Sequence, residues 1–128
     1  MILSCGEALI DMLPRTSTLG EAAFAPYAGG AEFNTAIAWG RLGAPAGFFS
    51  GISTDMLGEI LAETLAASGV ETKFCARSGR PTTVAFVKLV QGQATYAFYD
   101  ENTAGSMLAE ADLPQLDASV QALFFGGI

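Results

Sequence analysis

The chain has 128 residues, 51% of them hydrophobic, with 13 acidic and six basic residues and no histidine. That length and apolar content suit one domain with a sizeable core. A net charge of −7 with scattered basic residues leaves no footprint for nucleic acid or an anionic membrane, so neither is expected as a partner.

Met1 to Cys5 is a short apolar run that reads as a buried strand. Gly6 interrupts it, and Glu7 to Leu13 reads as extended, with Glu7, Leu9, Asp11 and Leu13 on one face. Asp11 is then an acid within an apolar strand, and a buried carboxylate needs partners. It reads equally well as a ligand for hydroxyl groups or as an exposed strand acid. Pro14 is expected to end the segment. Arg15 to Glu21 reads as a loop and Ala22 to Ala28 as a short strand.

Gly29-Gly30 follows, directly before a helical pattern. Glycines let the backbone bend sharply and let another molecule come close. The helix from Ala31 to about Leu42 begins with free N–H groups and the positive end of its dipole. Asn34 lies in or near its first turn, and its amide both donates and accepts. A polyol would suit such a place; the competing reading is a tight turn before a core helix, with Asn34 a surface amide. Phe33, Ala36, Ile37 and Gly40 share one side of the helix. Gly40 there implies close packing on a neighbouring backbone, and Gly43 is placed to end the helix.

Ala46 to Gly51 reads as a second buried strand. Ser53 or Thr54 is expected to cap a helix running to about Ser68, with Leu57, Leu61 and Leu65 in one row and Gly69 as its stop. Gly51-x-Ser53-Thr54-Asp55-x-x-Gly58 reads as a turn plus cap or as a binding loop. An extended piece is expected at Lys73 to Ala76. Thr82 to Val90 and Ala94 to Tyr99 form a hairpin about Gln91-Gly92-Gln93. The hairpin breaks the strand–helix alternation and belongs to a separate small sheet. Phe98 and Tyr99 at its end could cover a ligand or simply cluster. Ser106 to Leu108 and Leu113 to Val120 are expected as short helical pieces, and Ala122 to Phe125 as a third buried strand.

The two cysteines, Cys5 and Cys75, are far apart and sit in apolar runs, so buried free thiols are expected. No signal peptide or membrane-length run is read, which points to a cytoplasmic protein. Cys/His metal sites, a P-loop, a Gly-x-Gly-x-x-Gly fingerprint and Ser-His or Cys-His nucleophiles are all absent from the sequence.

Taken together, Gly6-Glu7-Ala8-Leu9-Ile10-Asp11, Gly29-Gly30-Ala31-Glu32-Phe33-Asn34, Arg41-Leu42-Gly43, Gly51 through Gly58 and Phe124-Phe125-Gly126-Gly127-Ile128 strongly resemble the ribokinase-like (PfkB-type) carbohydrate kinases. The resemblance covers essentially the whole chain, and its opening looks most like the fructokinase branch. It implies an α/β fold: a central, mostly parallel sheet with flanking helices plus a small β lid. Residues 1–128 would be the N-terminal part of a single domain, with lid segments at about 8–28 and 82–100. It implies transfer of the ATP γ-phosphate to a sugar hydroxyl, most naturally of fructose, with Mg2+ and often K+.

Carried over, Asp11 accepts from sugar hydroxyls, Gly29 and Gly30 admit the sugar to the backbone, Asn34 bonds another hydroxyl and Phe98 lies over the sugar. A homodimer through the lid is implied as well. The family's Gly-Ala-Gly-Asp segment, with the catalytic base and the anion hole, is not in this sequence, and neither is the ATP pocket. No catalytic or metal residue is therefore assigned, and the chain alone is expected to be inactive. Asp100-Glu101 stands where many relatives carry a basic residue, which disfavours an acidic sugar. A non-catalytic sugar-binding or dimerisation module, or a nucleoside kinase of the same fold, are the alternatives.

Overall fold

The computed structural model describes residues 1–126; Gly127 and Ile128, the end of the last motif, lie outside the described residues. The order of elements is β1 (Ile2–Cys5), β2 (Leu9–Thr16), β3 (Ala22–Gly29), α1 (Ala31–Arg41), β4 (Ala46–Phe49), β5 (Gly51–Ser53), α2 (Met56–Ala67), β6 (Ala76–Ser78), β7 (Val84–Val90), β8 (Gln93–Tyr99) and β9 (Ala122–Phe125). The fold is α/β. One sheet is parallel in the order β4-β1-β9, and a parallel pair joins β5 to β6. A second, four-stranded sheet has the order β3-β2-β7-β8 and contains the expected hairpin.

The core lies between the helices and the sheets. Phe33 and Ile37 of α1 meet Phe48 of β4, Ile52 of β5, and Leu61 and Leu65 of α2. Phe33 and Phe48 pack edge to face at 5.6 Å. Ile10, with Met12 and Ala28, carries the root of the four-stranded sheet into the same cluster. Gly40 packs as its position predicts: a Cβ there would collide with the Ser68 carbonyl and fall 2.9 Å from Val70 Cγ2. Gly43 and Gly69 close the two helices at φ +79° and +73°.

Several expectations are corrected. β2 does not end at Pro14 but runs to Thr16, with Pro14 opposite Phe24. β7 pairs with β2 only over Ile10–Met12, so the missing proline N–H leaves no bond unmade on that side. The cap of α2 is Asp55, not Ser53 or Thr54; Ser53 instead accepts the Asp55 N–H. The extended piece after α2 is Ala76–Ser78, and Cys75 lies in the turn before it. Residues 113–120 form no helix, whereas a 3-10 turn occupies Glu110–Asp112. β9 is a strand but all four of its residues are exposed; β1 pairs with one of its edges and no described strand pairs with the other.

Candidate functional site

The register of the four-stranded sheet decides which side chains can meet. Asp11 pairs with Tyr27 on β3 and with Ala85 on β7, and Ala85 pairs with Phe98 on β8. In-register partners project from the same face, so Tyr27, Asp11, Ala85 and Phe98 form one row across the sheet. Ile10, Met12 and Ala28 point the opposite way, into the core. Phe98 is exposed and stacks on Tyr96 at 6.0 Å.

Gly29 is diagonal to Asp11 in this register, and a Cβ on Gly29 would fall on Asp11 Oδ2. Gly30 adopts φ +113°, and a Cβ there would lie 2.5 Å from the Glu7 carbonyl oxygen. The sequence needs glycine at both positions, for two reasons: contact with a carboxylate at one, and contact plus a left-handed backbone at the other. Gly30 is also the N-cap of α1 and supplies no side-chain acceptor. The head of α1 thus has no N-cap side chain and lies beside the Asp11 carboxylate, with only its first N–H, of Ala31, directed to Glu7. Asn34 is exposed in the next turn, its own N–H bonded to the Gly30 carbonyl at 2.9 Å. Among the described residues, no donor reaches the Asp11 carboxylate or the Asn34 amide. Burial raises the Asp11 carboxyl above its ordinary 3.8.

Two acids in the same neighbourhood were not singled out by sequence reasoning. Glu32, buried in the first turn of α1, accepts the Glu7 N–H at 3.1 Å, and Ser4 Oγ donates to its carbonyl at 2.9 Å. Its carboxylate touches Gly6 and Gly126 so closely that neither could carry a side chain without displacing it. Glu32 therefore ties α1 to the carboxyl ends of β1 and β9. Glu7 is raised from its ordinary 4.5, first by burial and further by the charges of Glu32 and Asp11, against the Ala31 N–H that favours its charged form. The signal available in the sequence was Glu7 next to a glycine at a strand end. For Glu32 there was none, since its burial depends on Gly126, far along the chain.

Cys5, Phe49 and Phe125 end the three strands of the parallel sheet around a cavity of about 380 Å3, whose wall also includes Glu7, Ser50, Asp100 and Ser106. Ligands of open parallel sheets bind at such carboxyl ends. The structure thus brings Asp11, Gly29 and Gly30 together, sets Asn34 one turn on, and places Phe98 in the Asp11 row two strands away. Of Gly51 through Gly58, Gly51–Ser53 is strand β5, and Asp55 caps the helix that begins at Met56. Among the described residues no three His, Cys, Asp or Glu side chains converge as a metal site.

A profile of the pfkB family carbohydrate kinases matches residues 1–127. The chain is 69% identical over 128 residues to a fructokinase of Rhizobium leguminosarum bv. trifolii, covering 100% of this chain and 39% of the relative. The crystal structure of fructokinase from Xylella fastidiosa superposes with a TM-score of 0.85 at 34% identity, covering 97% of this chain and 40% of the other. The Xylella fastidiosa fructokinase with bound ATP gives 0.80 at 35% identity, covering 88% and 37%. The chain therefore spans about two fifths of the length of these proteins.

Proposed function

The chain belongs to the pfkB family carbohydrate kinases, and from that premise we propose that it forms the sugar-binding part of a kinase that phosphorylates fructose with ATP. One observation carries this reading. The half-buried Asp11 carboxylate has no protein donor among the described residues, and it stands beside two side-chain-free positions and an uncapped helix N-terminus. A sugar hydroxyl can donate to the carboxylate while another accepts from a helix N–H or from Asn34. Phe98 would cover the sugar from the same row, and the four-stranded sheet would act as a lid. Glu7 and Asp100 on the cavity wall, with Glu101 next to Asp100, favour a neutral sugar over a sugar acid, whose carboxylate they would repel.

Catalytic base, ATP, Mg2+ and any K+ are assigned to the part of the relatives' length that this chain does not span, because the described residues supply neither a phosphate loop nor a converging metal donor set. Positioning and charge stabilisation of the phosphoryl group would come from there. Two free cysteines, with burial pushing Cys75 up to about 12, fit a reducing cytoplasm. No described helix is long and apolar enough to cross a membrane. The lid also offers a dimer surface: Pro14, Phe24 and Phe86, on the face opposite Asp11, line an apolar groove of about 590 Å3.

The test uses the full-length form. With ATP and Mg2+ it should phosphorylate fructose well above ribose, adenosine or a ketodeoxy sugar acid. Asp11→Ala should lower kcat/KM for fructose by roughly ten- to a hundredfold, the worth of a charged hydrogen-bond acceptor. Equal use of all four acceptors, or an unaffected Asp11 variant, overturns the reading. For the dimer, Phe24→Asp should convert a dimer to a monomer in light scattering.

A further inference from the structure

We infer that Asp55 is a positioning residue: its carboxylate pins the four-stranded sheet to the head of α2, and so fixes how Asp11 and Phe98 face the substrate. The inference rests on the sugar-kinase reading for its last step only. Oδ1 accepts the N–H groups of Leu57 at 3.1 Å and Gly58 at 2.7 Å, which is ordinary capping. The same carboxylate then reaches across the chain. Oδ1 accepts the Thr82 hydroxyl at 2.6 Å, and Oδ2 accepts the Thr82 N–H at 2.8 Å. Thr82 is buried. A serine or asparagine would cap α2 as well, but neither offers a second acceptor oxygen for the Thr82 N–H.

Thr82 is the root of β7. Its neighbour Thr83 gives its carbonyl to the Ile10 N–H at 2.9 Å, and β7 then carries Ala85 between Asp11 and Phe98. Thr82 to Ala85 is three residues, or about 10 Å of strand. A shift or tilt at Thr82 is therefore passed directly to the row that would hold the sugar. Other bonds at this root run to the segment that follows β8: Ala104 N–H to the Pro81 carbonyl at 2.9 Å, and Thr83 Oγ1 to Thr103 Oγ1 at 2.7 Å. Asp55 is what ties that root to a core helix. Burial opposes its charge, but the Thr82 hydroxyl, the Gly58 and Thr82 N–H groups and the Ser53 hydroxyl outweigh it. Its carboxyl is held below the ordinary 3.8, so these bonds are charge-assisted.

Asp55→Asn keeps a capping oxygen but sets an amide donor where a second acceptor was. Thr82→Val removes the hydroxyl and leaves the cap untouched. In the full-length form both variants should melt within a few degrees of wild type. Their fructose KM should rise about tenfold, with kcat and ATP KM within twofold. The double variant should be worse than either alone, since Asp55→Asn removes the acceptor of the Thr82 N–H and Thr82→Val removes the hydroxyl bond to Oδ1. Hydrogen exchange of the amides of residues 82–90 should accelerate at least tenfold while α1 is unchanged. A lowered melting point with fructose KM and β7 exchange unchanged would make Asp55 a cap only and overturn the inference. Exchange needs no turnover: if wild type phosphorylates no sugar, the functional reading fails, and the β7 amides still decide whether Asp55 pins the sheet.

Discussion

The Asp11 carboxylate occupies the space into which a side chain on Gly29 would project: a Cβ built there collides with Oδ2 and lies 3.3 Å from Cγ. The two residues sit diagonally across the β2–β3 ladder, and the absence of one side chain fixes the position of the other.

Gly29→Ala should therefore separate function from stability. The atom in the way is the far end of a flexible side chain, which can swing aside at a cost of about 1 kcal/mol or less. What is lost is the position of the acceptor, so fructose KM in the full-length form should rise at least tenfold while the urea midpoint barely moves. Gly30→Ala should behave differently. Its Cβ meets the Glu7 backbone carbonyl, which cannot swing away, and its φ of +113° is unfavourable for alanine. Backbone strain of that kind costs on the order of 1–3 kcal/mol, so Gly30→Ala should shift the urea midpoint clearly. Equal stability of the two variants would contradict this assignment.

Gly40→Ala tests packing between α1 and the turn after α2. Alanine improves helix propensity by about 1 kcal/mol, so on propensity alone the variant should be more stable. Its Cβ would collide with the Ser68 carbonyl, however, and crowd Val70. Overpacking costs typically about 1–3 kcal/mol and occasionally more. The clash should win, and the variant should unfold at lower urea than wild type. A stabilised Gly40→Ala would show that the helix can move away at no cost.

Local signals located most of this fold. The helices were legible because Phe33, Ala36 and Ile37, and Leu61 and Leu65, recur at helical spacing and glycines with positive φ follow both. The hairpin was legible from Gln91-Gly92-Gln93 between β-branched runs. What failed depended on partners remote in sequence. Pro14 is tolerated in β2 only because β7 leaves that stretch unpaired. Asp55 caps α2 in place of Ser53 and Thr54, and its carboxylate also serves Thr82, 27 residues on. In the site, Asp11 and the glycine pair stood out by residue type. Their contact followed from strand register, which the sequence does not print, and buried Glu32 required Gly126 to close over it.

Asp11 carries a pH signature whose sign differs between stability and binding. Burial raises its carboxyl above 3.8 in the folded chain. The unfolded chain releases that proton at lower pH than the folded one, so Asp11 costs stability as pH rises from 3.8 through the folded value. Asp11→Asn removes the cost. The variant should melt above wild type at neutral pH, and the gap should close as pH falls below 3.8. Binding should run the other way, because in the proposed site it is the charged form that would accept sugar hydroxyls. In the full-length form, fructose KM should climb as pH falls through the raised value, beginning above 3.8, while Asp11→Asn, already weak, should show no such climb. Melting curves of both proteins across this range, paired with fructose KM, check the two signs together. A melting gap independent of pH would mean that Asp11 is as well solvated folded as unfolded, and would remove the buried acceptor from the site.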